Sequence, residues 1–341
     1  MRYDVAGYCL VCDHCGTSRP LHKPEEEFVS EERDFVSAVR DASKDWGTAR
    51  RAANCKQCGA ELLYPSDQMS GICPYCGSAI VLSAEEMNCG IAPSGVIPFK
   101  TTKEEVEKNF YKWNKFALWS PEHFRKGKVL GNLVGVYVPF WTFDADAVTT
   151  YSGEFGRNVT RGDSEITKWS KGSGVVDNVI NDTCVCASRR FVGNKKLNQV
   201  VLFKPDDIQK YTPDALVGFA AEKYTIDIDE AWEMARNATR KKLEYSAQKQ
   251  ECADFCRNVK LSTEYSNIKF RYFLFPVWLA ACPYKGKTYY VVASGLDNRG
   301  LCDRPVSVWK MVILGAIVLS LFLLPTFSYF IMLIINMIIH H

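Results

Sequence analysis

The chemistry-bearing residues of this sequence are its cysteines. In "CKQCGAELLYPSDQMSGICPYCGSAI", Cys55-x2-Cys58 is followed after fourteen residues by Cys73-x2-Cys76, and glycines Gly59 and Gly77 close the two pairs. Zinc takes four soft ligands in a tetrahedron, and two tight turns that each carry a CxxC pair supply four thiolates with little strain. The spacing therefore predicts a Zn2+ site on Cys55, Cys58, Cys73 and Cys76; a rubredoxin-type iron centre would use the same ligands. A four-thiolate set leaves no open position for water or substrate, so the site is structural rather than catalytic.

Cys12-x2-Cys15-Gly16, in "CLVCDHCGTS", is a further knuckle without a partner pair. Cys9 could add a third ligand, and Cys89, His14 or His22 a fourth. Alternatively, Cys12 and Cys15 from two protomers would build one site across a dimer axis, which makes the chain a homo-oligomer. Cys184, Cys186, Cys252, Cys256, Cys282 and Cys302 read as ordinary thiols, with Cys184 and Cys186 on one side of a strand and Cys252 and Cys256 on one helix face. No GxSxG or HExxH occurs. Gly286-Lys287-Thr288 lacks the earlier glycine of a phosphate-binding loop, because that position is Ala281. The sequence thus predicts no catalytic residues and no enzyme. Asp144 and Asp146 could hold a divalent cation, but two apart on a strand they read as its solvated face.

The 341 residues include 42 basic and 39 acidic ones, a net charge of +3. That balance argues against a nucleic-acid partner, which demands a basic footprint. Two basic clusters, Arg189/Arg190/Lys195/Lys196 and Arg236/Arg240/Lys241/Lys242, read as solvated faces, with an anionic surface as the alternative. No export signal precedes the cysteines, so they read as reduced metal ligands. From Met311 to Ile339 no charged residue occurs. As a helix that run would span about 43 Å against roughly 30 Å of hydrocarbon. It predicts a single transmembrane anchor, kinked at Pro325, with residues 1–310 in the cytoplasm and the chain in the inner membrane.

The elements that must carry these features form an α+β chain. Residues 1–50 hold the partial knuckle and a helix beginning near Ser30. Residues 51–90 form the zinc ribbon, a small β unit separable from the rest. Residues 96–305 form a duplicated domain, a helix and then a hairpin twice over, with an antiparallel sheet covered on one face. Residues 308–339 form the anchor. In the first half Thr102 and Glu105 make a capping box ahead of the stripe Val106, Phe110, Trp113, Ala117. In the second half Asp227 caps and Glu230 reinforces. Pro139 and Pro276 mark strand ends, bulges or edges.

The ordered series "CKQCGAEL", "GICPYCGSAIVL", "VIPFK", "GVYVPFWTFDADA", "PDALVGFAAEKYTIDIDEAW", "FLFPVWL" and "PVSVWK", followed by the apolar tail, resembles the bacterial TFIIB-type zinc-ribbon membrane proteins, which are often labelled primosomal or helicase-like. The resemblance runs from about Cys12 to the tail. Many members begin with a complete first ribbon, of which this chain keeps Cys12 and Cys15. It implies a membrane-bound, non-catalytic member of an assembly with SPFH-domain (flotillin-like) or phage-shock-type proteins. The function expected is thus a membrane-anchored zinc-ribbon adaptor; the alternative is a membrane-tethered nucleic-acid-binding protein.

Overall fold

In the computed structural model the chain is described over residues 2–4, 9–11, 15–20, 33–34, 46, 50–65, 70–81, 91–113, 120–125, 130–131, 133–161, 164–191, 195–297, 299–303 and 305–339. Three short strands open it: β1 (Arg2–Asp4), β2 (Cys9–Val11) and β3 (Ser18–Pro20), an antiparallel sheet in the order β1-β2-β3. There follow β4 (Arg33–Asp34), then β5 (Arg50–Asn54) and β6 (Glu61–Pro65), then β7 (Ser70–Ile72) and β8 (Ala79–Val81). Next come β9 (Gly95–Val96), helices α1 (Lys103–Trp113) and α2 (Glu122–Arg125), and the long strands β10 (Val134–Arg161) and β11 (Ser164–Cys186). Beyond them lie α3 (Lys195–Val200), β12 (Gln209–Lys210), β13 (Ala220–Glu222) and α4 (Ile228–Gln250). The chain ends with β14 (Phe255–Tyr284), β15 (Lys287–Ser294), β16 (Gly300–Cys302) and α5 (Val308–Ile339).

Among the described residues the frame is one 11-stranded sheet in which β10 and β14 lie side by side, antiparallel. Their sequences explain their two environments. "VYVPFWTF" and "FRYFLFPVWLAAC" are near-continuous apolar runs, and there both faces are buried: Tyr137, Trp141, Phe270 and Tyr272 enter one core, Val138, Phe140, Phe273 and Phe275 the other. Outward from Ala145 the pattern switches to alternation, and only one face stays buried. This outer half of β10, with β11 and the first half of β14, forms a three-stranded arm. Its buried face packs Ala147, Tyr151, Phe155, Val176 and Ile180 with Leu243 and Ala247 of α4.

Several expectations are corrected. The expected antiparallel sheet is mixed, because β10 pairs with β13 and β14 with β9 in parallel. The expected transmembrane anchor, and with it the single-pass inner-membrane placement, is not supported. Among the described residues no helix is long and apolar enough to cross a membrane. Lys310, in the first turn of α5, donates to the Ser120 carbonyl at 2.8 Å and ties that end to the body. Where a helix was expected after Ser30, Arg33–Asp34 is a strand on β14; the rest of that expectation lies outside the described residues. Cys252 and Cys256 share no helix face, since α4 ends at Gln250 and Cys256 lies on β14.

Pro139 and Pro276 lie inside β10 and β14 rather than at their ends. Each stands where a flanking strand stops: β11 ends at Cys186 beside Phe140, and β15 ends at Ser294 beside Val277. Their carbonyls still accept, from the N–H groups of Ala187 and Gly295. The missing proline N–H is therefore not demanded by a ladder. The capping box forms: Thr102 N–H donates to Glu105 Oε2 at 2.9 Å and Glu105 N–H to Thr102 Oγ1 at 3.2 Å. Asp227 precedes α4 without a side-chain cap, and Glu230 instead pairs with Arg189 at 2.6 Å. Gly286 lies in the β14–β15 hairpin turn and Lys287-Thr288 begin β15; Lys285 and Gly286 have φ of 50° and 75°, as a two-residue turn of the type I′ kind requires.

Candidate metal centre

β5 delivers Cys55 and β7 delivers Cys73, and each opens a tight knuckle. Gly59 N–H donates to the Cys55 carbonyl at 2.6 Å, and Gly77 N–H to the Cys73 carbonyl at 2.9 Å. Gly59 and Gly77 have φ of 68° and 74°, so the sequence needs glycine at both positions. The two knuckles face each other. Cys55 Sγ lies 3.5 Å from Cys76 Sγ, and Cys58 Sγ lies 3.6 Å from Cys73 Sγ. All four Sγ atoms fall within 4.8 Å of one another. A disulfide would need about 2.05 Å. Tetrahedral ligands about 2.3 Å from a common centre lie roughly 3.8 Å apart. The four thiols therefore fit a metal ion and could hold one.

Cys55 and Cys73 are buried, while Cys58 and Cys76 are half-exposed. Burial opposes ionisation of Cys55, but donors outweigh it, the Ser78 hydroxyl first and then the knuckle backbone, and its thiol falls to about 6. Burial pushes Cys58 and Cys73 upward. A metal entering the cluster must displace those protons, so its affinity rises with pH.

The cluster is locked into the body. Tyr75, between Cys73 and Cys76, is buried and donates to Glu222 Oε2 at 2.5 Å. Ser188 donates to Glu222 Oε1 at 2.6 Å. Arg190 lies over the Tyr75 ring, 5.2 Å from its centroid, and donates to the Cys58 carbonyl. Glu222 stands on β13, opposite Leu62 of β6. Ala60, Leu62, Tyr75 and Ile80 share a core with Val136, Val138 and Leu279. This differs from a separable ribbon, because the knuckle strands have too little apolar surface to close a core alone and borrow that of the main sheet.

Sequence reasoning found the four cysteines but missed Tyr75, Ser188, Glu222 and Arg190. One signal was present: Glu222 is the single acid in the apolar run "ALVGFAAEKY". Of the basic clusters, Arg189 and Arg190 are used as above, Arg240 pairs with Glu244 at 3.0 Å, and Lys242 donates to the Val179 carbonyl. Cys12 lies outside the described residues, as do His14, His22 and Cys89. Cys15 is exposed, its Sγ 3.1 Å from Thr17 Oγ1, and Gly16 has φ 70° like the other two knuckle glycines. Asp144 is no solvated carboxylate. It accepts from Asp182 N–H at 2.5 Å and stands 3.8 Å from Arg271: β10 keeps its alternation, but an extra residue in β11, between Thr183 and Ile180, carries the Asp182 N–H onto it.

No family profile matches the chain. No solved structure matches it. The chain is similar to the uncharacterized protein YdjG of Bacillus subtilis (strain 168), at 24% identity over 242 residues that cover 69% of this chain and 70% of the relative.

Proposed function

We propose that the chain is a zinc-stabilised, non-catalytic adaptor: a rigid β scaffold that presents surfaces to protein partners within an assembly. One observation carries this reading. The only cluster of potential metal ligands among the described residues is a closed set of four thiols. Its surroundings are hydrogen bonds that hold the fold, from Tyr75, Ser188 and Arg190. Such a site stabilises structure and has no position left for a substrate. Zinc suits four thiolates at this spacing better than harder metals do. The resemblance set out above suggests SPFH-domain proteins as the class of partner.

The test has two parts. Metal analysis of the full-length protein, grown with zinc and iron both available, is expected to return zinc bound to the four-thiol set, lost in Cys55→Ser. A purified SPFH-domain protein is then expected to bind the zinc-loaded chain and not the chelator-treated one. Iron in the site would overturn the metal assignment. Salt-sensitive binding to nucleic acid instead of protein would overturn the adaptor reading.

A further inference from the structure

Strand β11 lies at an edge. Among the described residues it pairs with β10 alone. Its odd-numbered side chains from Lys171 to Val179 are exposed, whereas Val176, Asn178 and Ile180 turn toward α4. The carbonyls of Val175 and Val179 point away from β10, since they accept from Gln250 Nε2 at 3.2 Å and Lys242 Nζ at 2.9 Å. Residues two apart on a strand present their main chain to the same side. The N–H and C=O groups of Trp169, Lys171, Ser173, Val175, Asp177 and Val179 therefore form one outward row, a template for a further strand.

We propose that this edge pairs with the same edge of a second copy of the chain, antiparallel, about a two-fold axis at Gly174. Charge complementarity selects the register. About Gly174, Lys171 stands opposite Asp177 of the second copy, twice, and Trp169 stands opposite Val179, twice. An axis at Ser173 would set Trp169 against Asp177, and one at Val175 would set Lys171 against Val179. The chosen register also extends a row already present. Arg257 bonds Glu154 at 2.7 Å, and Glu154 stands opposite Lys171, so Asp177 of the second copy continues the alternation of sign. The N–H groups of Ser173 and Trp169 replace Gln250 and Lys242 on the carbonyls of Val175 and Val179, which leaves no acceptor orphaned.

The placement of α4 supplies an independent argument. It covers only the inner half of the strand, with Ser246 on Asn178 at 2.6 Å and its end, Gln250, on Val175. Past α4 the Glu251 carboxylate still lies over Gly172 and Phe155 stays buried against Ala253; further out Ile166 and its neighbour Val159 are 46% and 44% exposed. The two-fold brings residues 176–182 of the second copy beside 172–166, so each α4 flanks the half that the other leaves open.

This inference goes beyond the adaptor reading and does not depend on it. The test is sedimentation of the full-length chain in a mild detergent that covers the apolar side chains of α5. A dimer is expected. Lys171→Glu and Asp177→Lys should each weaken it at least tenfold, and the double variant should restore it, because the reversed charges again face their opposites. A second measurement needs no variant: hydrogen exchange at Ser173, Val175 and Asp177 should slow as protein concentration rises. A monomer at all concentrations, a dimer insensitive to either reversal, or single-variant losses that the double variant fails to repair would overturn the proposal.

Discussion

Glu222 shows how one side chain can tie two parts of a chain together and at what cost. It is 1% exposed and accepts from Tyr75 and Ser188. Burial pushes its carboxyl from 4.5 up to about 7, against the pull of Ser188, Tyr75 and Arg190. A carboxyl whose folded value is raised contributes stability that is fully present below the unfolded value and is lost as pH climbs through the folded one. The window here is therefore about pH 4.5 to 7. Glu222→Gln removes the titration. Its stability relative to the parent is expected to improve as pH rises through that window, by about 3 kcal/mol at most, as read from urea unfolding at pH 5 and pH 8. A difference that does not change with pH would show that Glu222 is ionised in the fold.

At the scale of elements, the sequence is most legible where a local rule suffices. The Thr102–Glu105 box forms as its spacing predicts, and Val106 and Phe110 of the stripe are buried. Thr102→Ala is expected to cost about 1 kcal/mol in thermal unfolding, with Thr102→Ser close to neutral. An equal loss in both would mean that the methyl group rather than the hydroxyl matters. The long strands were less legible. The switch from continuous apolar residues to alternation near Ala145 is visible in the sequence, but the partners that each stretch meets are not. Asp144 shows why: its place in the alternation of β10 is kept, but a bulge in the neighbouring β11 brings the Asp182 N–H, and β14 brings Arg271, to a carboxylate assigned to solvent.

For the whole molecule, the decisive feature is that the knuckle strands and the main sheet share a core and a ladder, through β6 on β13. Metal removal should therefore be felt far from the cysteines. Chelation is expected to lower the melting temperature of the chain as one transition, by about 10 °C or more given the size of metal–thiolate binding energies. Hydrogen exchange should show lost protection in β10 and β14 as well as in β5–β8. If the knuckle strands melted alone and left Phe140 and Phe275 protected, the shared core would be energetically unimportant.

The sequence by itself determined the four-cysteine set, its tight glycine turns, the capping box and the apolar stretches, because each depends on short-range sequence pattern. Only the tertiary structure decided that the sheet is mixed, that Tyr75 meets Glu222 across 147 positions, and that α4 stops halfway along β11. Those depend on which distant apolar surfaces bury one another. Local periodicity states that a face must be covered and is silent on what covers it.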